Sequence, residues 1–132
     1  MVKKRILIID DSLFMRNLIK SILEEAGFEI CGEASNALEG VKLYKELRPD
    51  LVTLDVIMPK MEELDGITAI KEILFFDPQA KIVVVSALGE RKLFQEALSY
   101  GAKDYIVKPF TKIELLKVIR KVLGENGGYT AK

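Results

Sequence analysis

The feature that most constrains this chain is an alternation of five short apolar, β-branched runs with amphipathic stretches of ten to fifteen residues. That alternation is the pattern of consecutive βαβ units and predicts a parallel sheet with helices between its strands. The predicted strands are Arg5–Ile9, Glu29–Gly32, Leu51–Leu54, Lys81–Val85 and Tyr105–Val107, the second being the least apolar. Ser12 is placed to cap a first helix, whose apolar positions are Phe14, Leu18 and Ile22 and, beside them, Met15, Ile19 and Leu23; Gly27 ends it. A second helix runs from Asn36 to Leu47, with Leu38, Val41 and Leu43 predicted to be buried, and stops at Arg48-Pro49. The third uses Ile67, Ile70, Ile73 and Leu74 and ends at Asp77-Pro78. The fourth, Arg91–Tyr100, closes on Gly101, and the fifth, Lys112–Leu123, supplies Leu115, Leu116, Ile119, Val122 and Leu123 to the core.

A chain of 132 residues fits one domain, which buries about two thirds of the surface its unfolded form exposes. The tail from Gly124 has no apolar periodicity, so residues 1–124 are expected to fold and 125–132 to form a flexible end. The single cysteine, Cys31, excludes an intramolecular disulfide and suits a reducing compartment. Lysine plus arginine and aspartate plus glutamate both number 20, so nothing in the charge balance points to nucleic acid. After the basic residues only four apolar positions in a row, Ile6 to Ile9, precede Asp10, too few for a signal-peptide core, and no stretch approaches a membrane span. The expectation is a soluble, cytoplasmic protein. It has no histidine, which excludes a His-based triad, a His metal ligand and a phosphohistidine donor. A phosphoryl group passing through this chain would have to ride on a carboxylate.

Asp10 and Asp11 close the first apolar run and Asp55 closes the third, while two later runs end at Ser86 and Lys108. In a parallel α/β sheet such ends converge at the edge where ligands bind. Taken singly, each residue has an ordinary role: a helix N-cap for Asp10 or Asp11, a turn for Asp55, a loop hydroxyl for Ser86, a solvated lysine for Lys108. Taken together, they point elsewhere. Crowded carboxylates raise one another's pKa unless a cation intervenes. Mg2+ accepts an all-oxygen ligand set, which suits a site without histidine or cysteine ligands. Lys108 adds a fixed positive charge and Ser86 a donor, completing the parts that phosphoryl transfer needs.

The motifs Asp10-Asp11-Ser12, Leu54-Asp55-Val56-Ile57-Met58-Pro59, Ser86-Ala87 and Gly101-Ala102-Lys103-Asp104-Tyr105-Ile106-Val107-Lys108-Pro109-Phe110 resemble, in this order, the receiver domain of two-component response regulators. The resemblance spans nearly the whole chain. Leu13-Phe14-Met15-Arg16, Asp50-Leu51-Val52-Thr53 and the ending at Phe110 are most similar to single-domain chemotaxis regulators of the CheY type. It implies a flavodoxin-like (βα)5 fold with a five-stranded parallel sheet in the order 2-1-3-4-5 and helices on both faces; that order for CheY is a standard example of the doubly wound rule. It further implies that Asp55 accepts a phosphoryl group from a histidine kinase of the chemotaxis type. Asp10, Asp11, Asp55 and the carbonyl of Ile57 would hold Mg2+, Ser86 and Lys108 would bind phosphoryl oxygens, and Tyr105 would turn inward with Ser86 as a switch. The Lys108-Pro109 bond would be cis. The fourth helix, fifth strand and fifth helix would meet a downstream motor or switch protein, and a phosphatase is a possible further partner. Such a protein is a monomeric switch that catalyses only its own phosphorylation and dephosphorylation, with neither nucleic acid nor membrane as a direct partner.

Two departures stand out. Glu62-Glu63-Leu64 lengthens the loop after Asp55 by three residues relative to the family pattern, and is expected to be a tolerated insertion or to alter Mg2+ affinity or partner choice. Ile57 and Leu88 place apolar side chains where water would approach the acceptor, which is expected to slow hydrolysis relative to an Ile57→Asn variant. Two other readings fit less well. A haloacid-dehalogenase-like phosphatase would carry an aspartate where Ile57 stands, and a dinucleotide-binding fold would need a glycine-rich first turn in place of the acids. The alternative within the family is the isolated receiver of a larger regulator with a DNA-binding or enzymatic output domain.

Overall fold

Apolar runs without a polar face fold stably only where both faces of a sheet are covered, and that is what the chain builds. The structure, a computed structural model, describes residues 2–56, 66–87 and 91–125. In chain order the elements are β1 (Arg5–Ile9), α1 (Leu13–Glu25), β2 (Glu29–Ala34), α2 (Ala37–Leu47), β3 (Leu51–Leu54), α3 (Gly66–Phe76), β4 (Ile82–Ala87), α4 (Arg91–Tyr100), β5 (Asp104–Lys108) and α5 (Lys112–Leu123). All strand pairs are parallel and the sheet order is β2-β1-β3-β4-β5, as the resemblance implied. No helix among the described residues is long and apolar enough to cross a membrane.

Strand alternation divides the core in two. Leu7, Ile9, Val52, Leu54, Ile82 and Val84 point to the face covered by α2, α3 and α4, where Val41, Ile70, Ile73 and Phe94 meet them. Ile6, Ile8, Val83, Val85 and Ile106 point to the other face, against Ile19 and Leu23 of α1 and Leu115 and Ile119 of α5. Ile6–Ile9 and Ile82–Val85 are apolar at every position because their odd and even residues enter different cores.

The helix starts follow local chemistry. Ser12 Oγ accepts from Met15 N, Asn36 Oδ1 from Glu39 N, and Thr111 with Glu114 forms a reciprocal capping box. Gly101 ends α4 at φ 121°, a conformation open to glycine without strain.

Four expectations need correction. Phe14 and Leu18 are exposed, Phe14 at 74%, because α1 turns the Met15, Ile19, Ile22 and Leu23 side inward and leaves the neighbouring row at its margin. Leu38 of α2 is also exposed, while Tyr44 joins the expected Val41 in the core, its hydroxyl donating to Asp77 at 2.8 Å across to the end of α3. Burial, together with that hydrogen bond, raises the Tyr44 pKa. β2 runs on to Ala34 because an irregularity at Cys31 shifts its register on β1, from Ile6↔Ile30 to Leu7↔Gly32. Finally, β4 and β5 extend into polar residues, so that Ser86 pairs with Val107 and Ala87 with Lys108 inside the ladder.

Candidate functional site

β1 and β3 lie side by side, and the Asp55 N–H donates to Ile9 O at 3.0 Å, so the residues following the two strands emerge level with each other. Asp10 and Asp55 are buried and Asp11 is exposed, and one carboxylate oxygen from each lies within 4.8 Å of the others. Lys108 reaches them from β5, its Nζ donating to Asp10 Oδ2 at 2.9 Å and to Asp55 Oδ2 at 3.0 Å. From β4 the fully buried Ser86 donates its hydroxyl to Asp55 Oδ1 at 3.2 Å. The structure therefore gathers Asp10, Asp11, Asp55, Ser86 and Lys108 from four strand ends at one point. Burial pulls the Lys108 pKa down, but its hydrogen bonds to Asp10 and Asp55, reinforced by their charges, outweigh that and raise it above the ordinary 10.5.

The backbone of the acidic turn is held as firmly as its side chains. Asp10 N donates to Ala34 O, and Asp10 Oδ1 accepts from Ser12 N at 2.9 Å, so the aspartate braces the turn that Ser12 then caps. Arg16, one turn into α1, donates from Nη1 to Asp10 O at 2.7 Å and pairs through Nε with Glu33 Oε1 at 3.2 Å; Lys20 approaches the other oxygen of Glu33. Sequence reading noted Arg16 only within a motif and missed this role. The available signal was a cation in the first turn of a helix that follows two acids.

Tyr105 stands apart from the carboxylates. It is 40% exposed and its ring stacks on Phe94 of α4, with centroids 4.4 Å apart and planes 17° from parallel. The Lys108-Pro109 bond is cis. Ile57, Leu88 and Glu62-Glu63-Leu64 lie outside the described residues, as does the tail from residue 126.

The donor set fits a hard divalent cation. All its ligand atoms are carboxylate oxygens, and a spread of 4.8 Å is only a little over twice the Mg2+–oxygen length of about 2.1 Å, which bound water can bridge. Lys108 already supplies a positive charge at that position, so an ion entering there would share Asp10 and Asp55 with it.

A doubly wound parallel sheet with an acidic cluster at the carboxyl ends of its strands defines a class, and the comparisons agree on which. Residues 6–120 match the response regulator receiver domain, and the chain belongs to that family. Within it, the chain is 51% identical to the chemotaxis protein CheY of Thermotoga maritima, over 90% of its own length and 97% of the relative's. The match to the CheY of Bacillus subtilis is equally close and has the same coverage. Among solved structures, the CheX–CheY–BeF3–Mg2+ complex from Borrelia burgdorferi contains a chain 39% identical to this one, with a TM-score of 0.84, covering 90% of this chain and 88% of that one.

Proposed function

We propose that this protein is a phosphorylation-activated switch of a two-component system, in which residues 1–124 form the receiver unit and Asp55 accepts a phosphoryl group from a histidine kinase of the chemotaxis type. The observation that carries this reading is the Asp55 carboxylate itself, bonded on one oxygen by a neutral hydroxyl and on the other by an ammonium, beside two further carboxylates. A structural aspartate would be satisfied by such partners. An acceptor needs the same partners for another reason, since a hydroxyl and an ammonium can follow the transferred group and bond its oxygens.

In the transfer, an Asp55 carboxylate oxygen attacks phosphorus in line, the phosphorus–oxygen bond forms, and the phosphorus–nitrogen bond to the donor imidazole breaks. Asp10, Asp11, Asp55 and the Ile57 carbonyl are the proposed Mg2+ ligands. The ion would supply charge neutralisation to the incoming group. Lys108 moves its hydrogen bond from the carboxylate to a phosphoryl oxygen, and Ser86 does the same from the other side. Arg16 keeps the Asp10 backbone in place while this occurs. The exposed Phe14 and Leu18, on the helix that starts beside Asp11, offer apolar surface against which a protein donor can seat.

Tyr105 is the proposed link to output. Displacement of Ser86 toward the phosphoryl group loosens the β4 end on which β5 is registered, and the Tyr105 ring leaves its stacked position against Phe94. α4, β5 and α5 then present a changed surface to a motor or switch protein, and ligation biases an existing two-state equilibrium. The similarity to chemotaxis proteins CheY, over 97% of their length, supports a role in that pathway.

The test is intact mass after incubation with acetyl phosphate, with and without Mg2+, for wild type and Asp55→Asn. The expected result is Mg2+-dependent gain of one phosphoryl group by wild type and none by the variant. Absence of gain in wild type, or equal gain in both, overturns the assignment.

A further inference from the structure

α2 and α3 run back from the carboxylate edge, and each ends just before the next strand begins, so their last turns sit together at the opposite edge of the sheet. Three features meet there. Phe75 is 92% exposed at the end of α3, projecting a large apolar side chain into solvent. Next to it the Phe76 ring has Arg48 at 4.8 Å and Lys45 at 5.9 Å from its centroid, with Tyr44 meeting it edge-on, while Lys71 lies 4.2 Å over the Tyr100 ring. An open groove of about 590 Å³, lined by Lys45, Lys71, Glu72, Phe75 and Phe76, runs between the two helices.

The charges on this groove are unbalanced. Lys45, Arg48 and Lys71 take part in no ion pair among the described residues; the ion pairs formed there lie on β2, α1, α5 and the carboxylate edge. Asp77 is nearby, but it is occupied by the Tyr44 hydroxyl and the Gln79 N–H, which leaves Glu72 as the acid in the lining. The C-terminal end of α2 accounts for cations at Lys45 and Arg48. It does not account for Lys71 in mid-helix or for Phe75 standing in water. Aromatic rings flanked by cations without counter-ions form a surface complementary to carboxylates set around an apolar side chain.

We propose that this groove docks an acidic segment of a partner protein, with an aromatic or branched apolar side chain packing on Phe75 and flanking carboxylates pairing with Lys45 and Lys71. Because it lies across the sheet from Asp55, a partner held there leaves the carboxylate edge free. Docking would raise the local concentration of a donor or phosphatase without touching the acceptor.

The experiment uses fluorescein-labelled peptides Glu-Asp-Glu-X-Asp-Glu-Asp, with X as Phe, Trp, Leu or Gly, titrated against the full chain and read by fluorescence anisotropy. Phe75→Ala and Lys71→Glu are the test variants, and Lys117→Glu, exposed on α5, is the charge control. The expected result is a dissociation constant below about 1 mM for the apolar X peptides. Affinity should be weaker with Gly, lost about tenfold in either test variant, and unchanged in the control. No binding by any apolar peptide overturns the proposal, as does equal loss in Lys117→Glu, which would mark a diffuse charge effect. Phe75-dependent binding to anionic phosphatidylglycerol vesicles, or Phe75-dependent dimerisation by sedimentation, in place of peptide binding would also overturn it.

Discussion

Lys108 occupies an unusual position for a lysine, with its ammonium hydrogen-bonded to two buried carboxylates that would otherwise repel each other. Removing it leaves Asp10 and Asp55 without that cation. We expect Lys108→Met to lower stability at neutral pH by about 2–3 kcal/mol, below the range for a fully buried pair because part of the lysine meets water. The pH dependence has a definite sign. The folded-state pKa is raised above 10.5, so the contribution is complete below the unfolded value and disappears as pH rises through the folded one. Urea midpoints for wild type and variant should differ by a constant amount from pH 7 to about 10 and converge above that. Convergence between pH 7 and 9 would contradict the geometry. The residue types at this edge were legible in the sequence because each ends an apolar run. Their mutual bonding was not, since Lys108 and Asp10 stand 98 positions apart and their contact depends on the whole sheet being assembled. In this structure the Lys108 ammonium bonds the carboxylates of Asp10 and Asp55 directly.

The elements were readable to the extent that their determinants are local. Ser12, Asn36, Gly101 and the Asp77-Pro78 step act within a few residues, and the helices begin or end beside them. The strand ends were misjudged at β4 and β5 because apolar patterning stops at Ser86 and Lys108 while the hydrogen-bond ladder continues. Burial in α2 was misjudged because Tyr44 is admitted to the core by Asp77, a partner on another helix. Packing between elements also sets a prediction at Gly66. A Cβ there would overlap the Cα of Val56, the residue after Asp55, with further clashes at Val56 Cβ at 2.8 Å and Val56 O at 2.9 Å. Gly66→Ala, at the first position of α3, gains less than the about 1 kcal/mol of helix propensity that an interior site would give and should destabilise, by about 1–3 kcal/mol, because backbone must shift to admit the methyl group. The displaced segment adjoins Asp55, the proposed acceptor, so acetyl phosphate labelling of Asp55 should slow as well. A more stable variant with unchanged labelling would show that α3 is not pressed against this turn.

Across the whole molecule, folding and the proposed metal binding draw on the same charges. Asp11 is exposed and takes part in no ion pair among the described residues, so without a divalent ion its charge mainly repels Asp10 and Asp55. Asp11→Asn should therefore raise the melting temperature in EDTA by a few degrees, equivalent to about 0.5–1 kcal/mol. Millimolar Mg2+ is expected to stabilise wild type, and Asp11→Asn should abolish most of that effect. Calorimetry with and without the ion measures both, and a variant less stable in EDTA would mean that Asp11 supports the fold. The fold itself, including strand order, came from the family resemblance, because alternation predicts a parallel sheet without ordering it. The span between Asp10 and Lys108 has a consequence for biosynthesis. All three acids leave the ribosome long before β5 does, and without Lys108 they form an incomplete site. A chain broken off short of β5 lacks the Lys108 contacts to Asp10 and Asp55, so the proposed phosphoryl transfer is expected to fail in it.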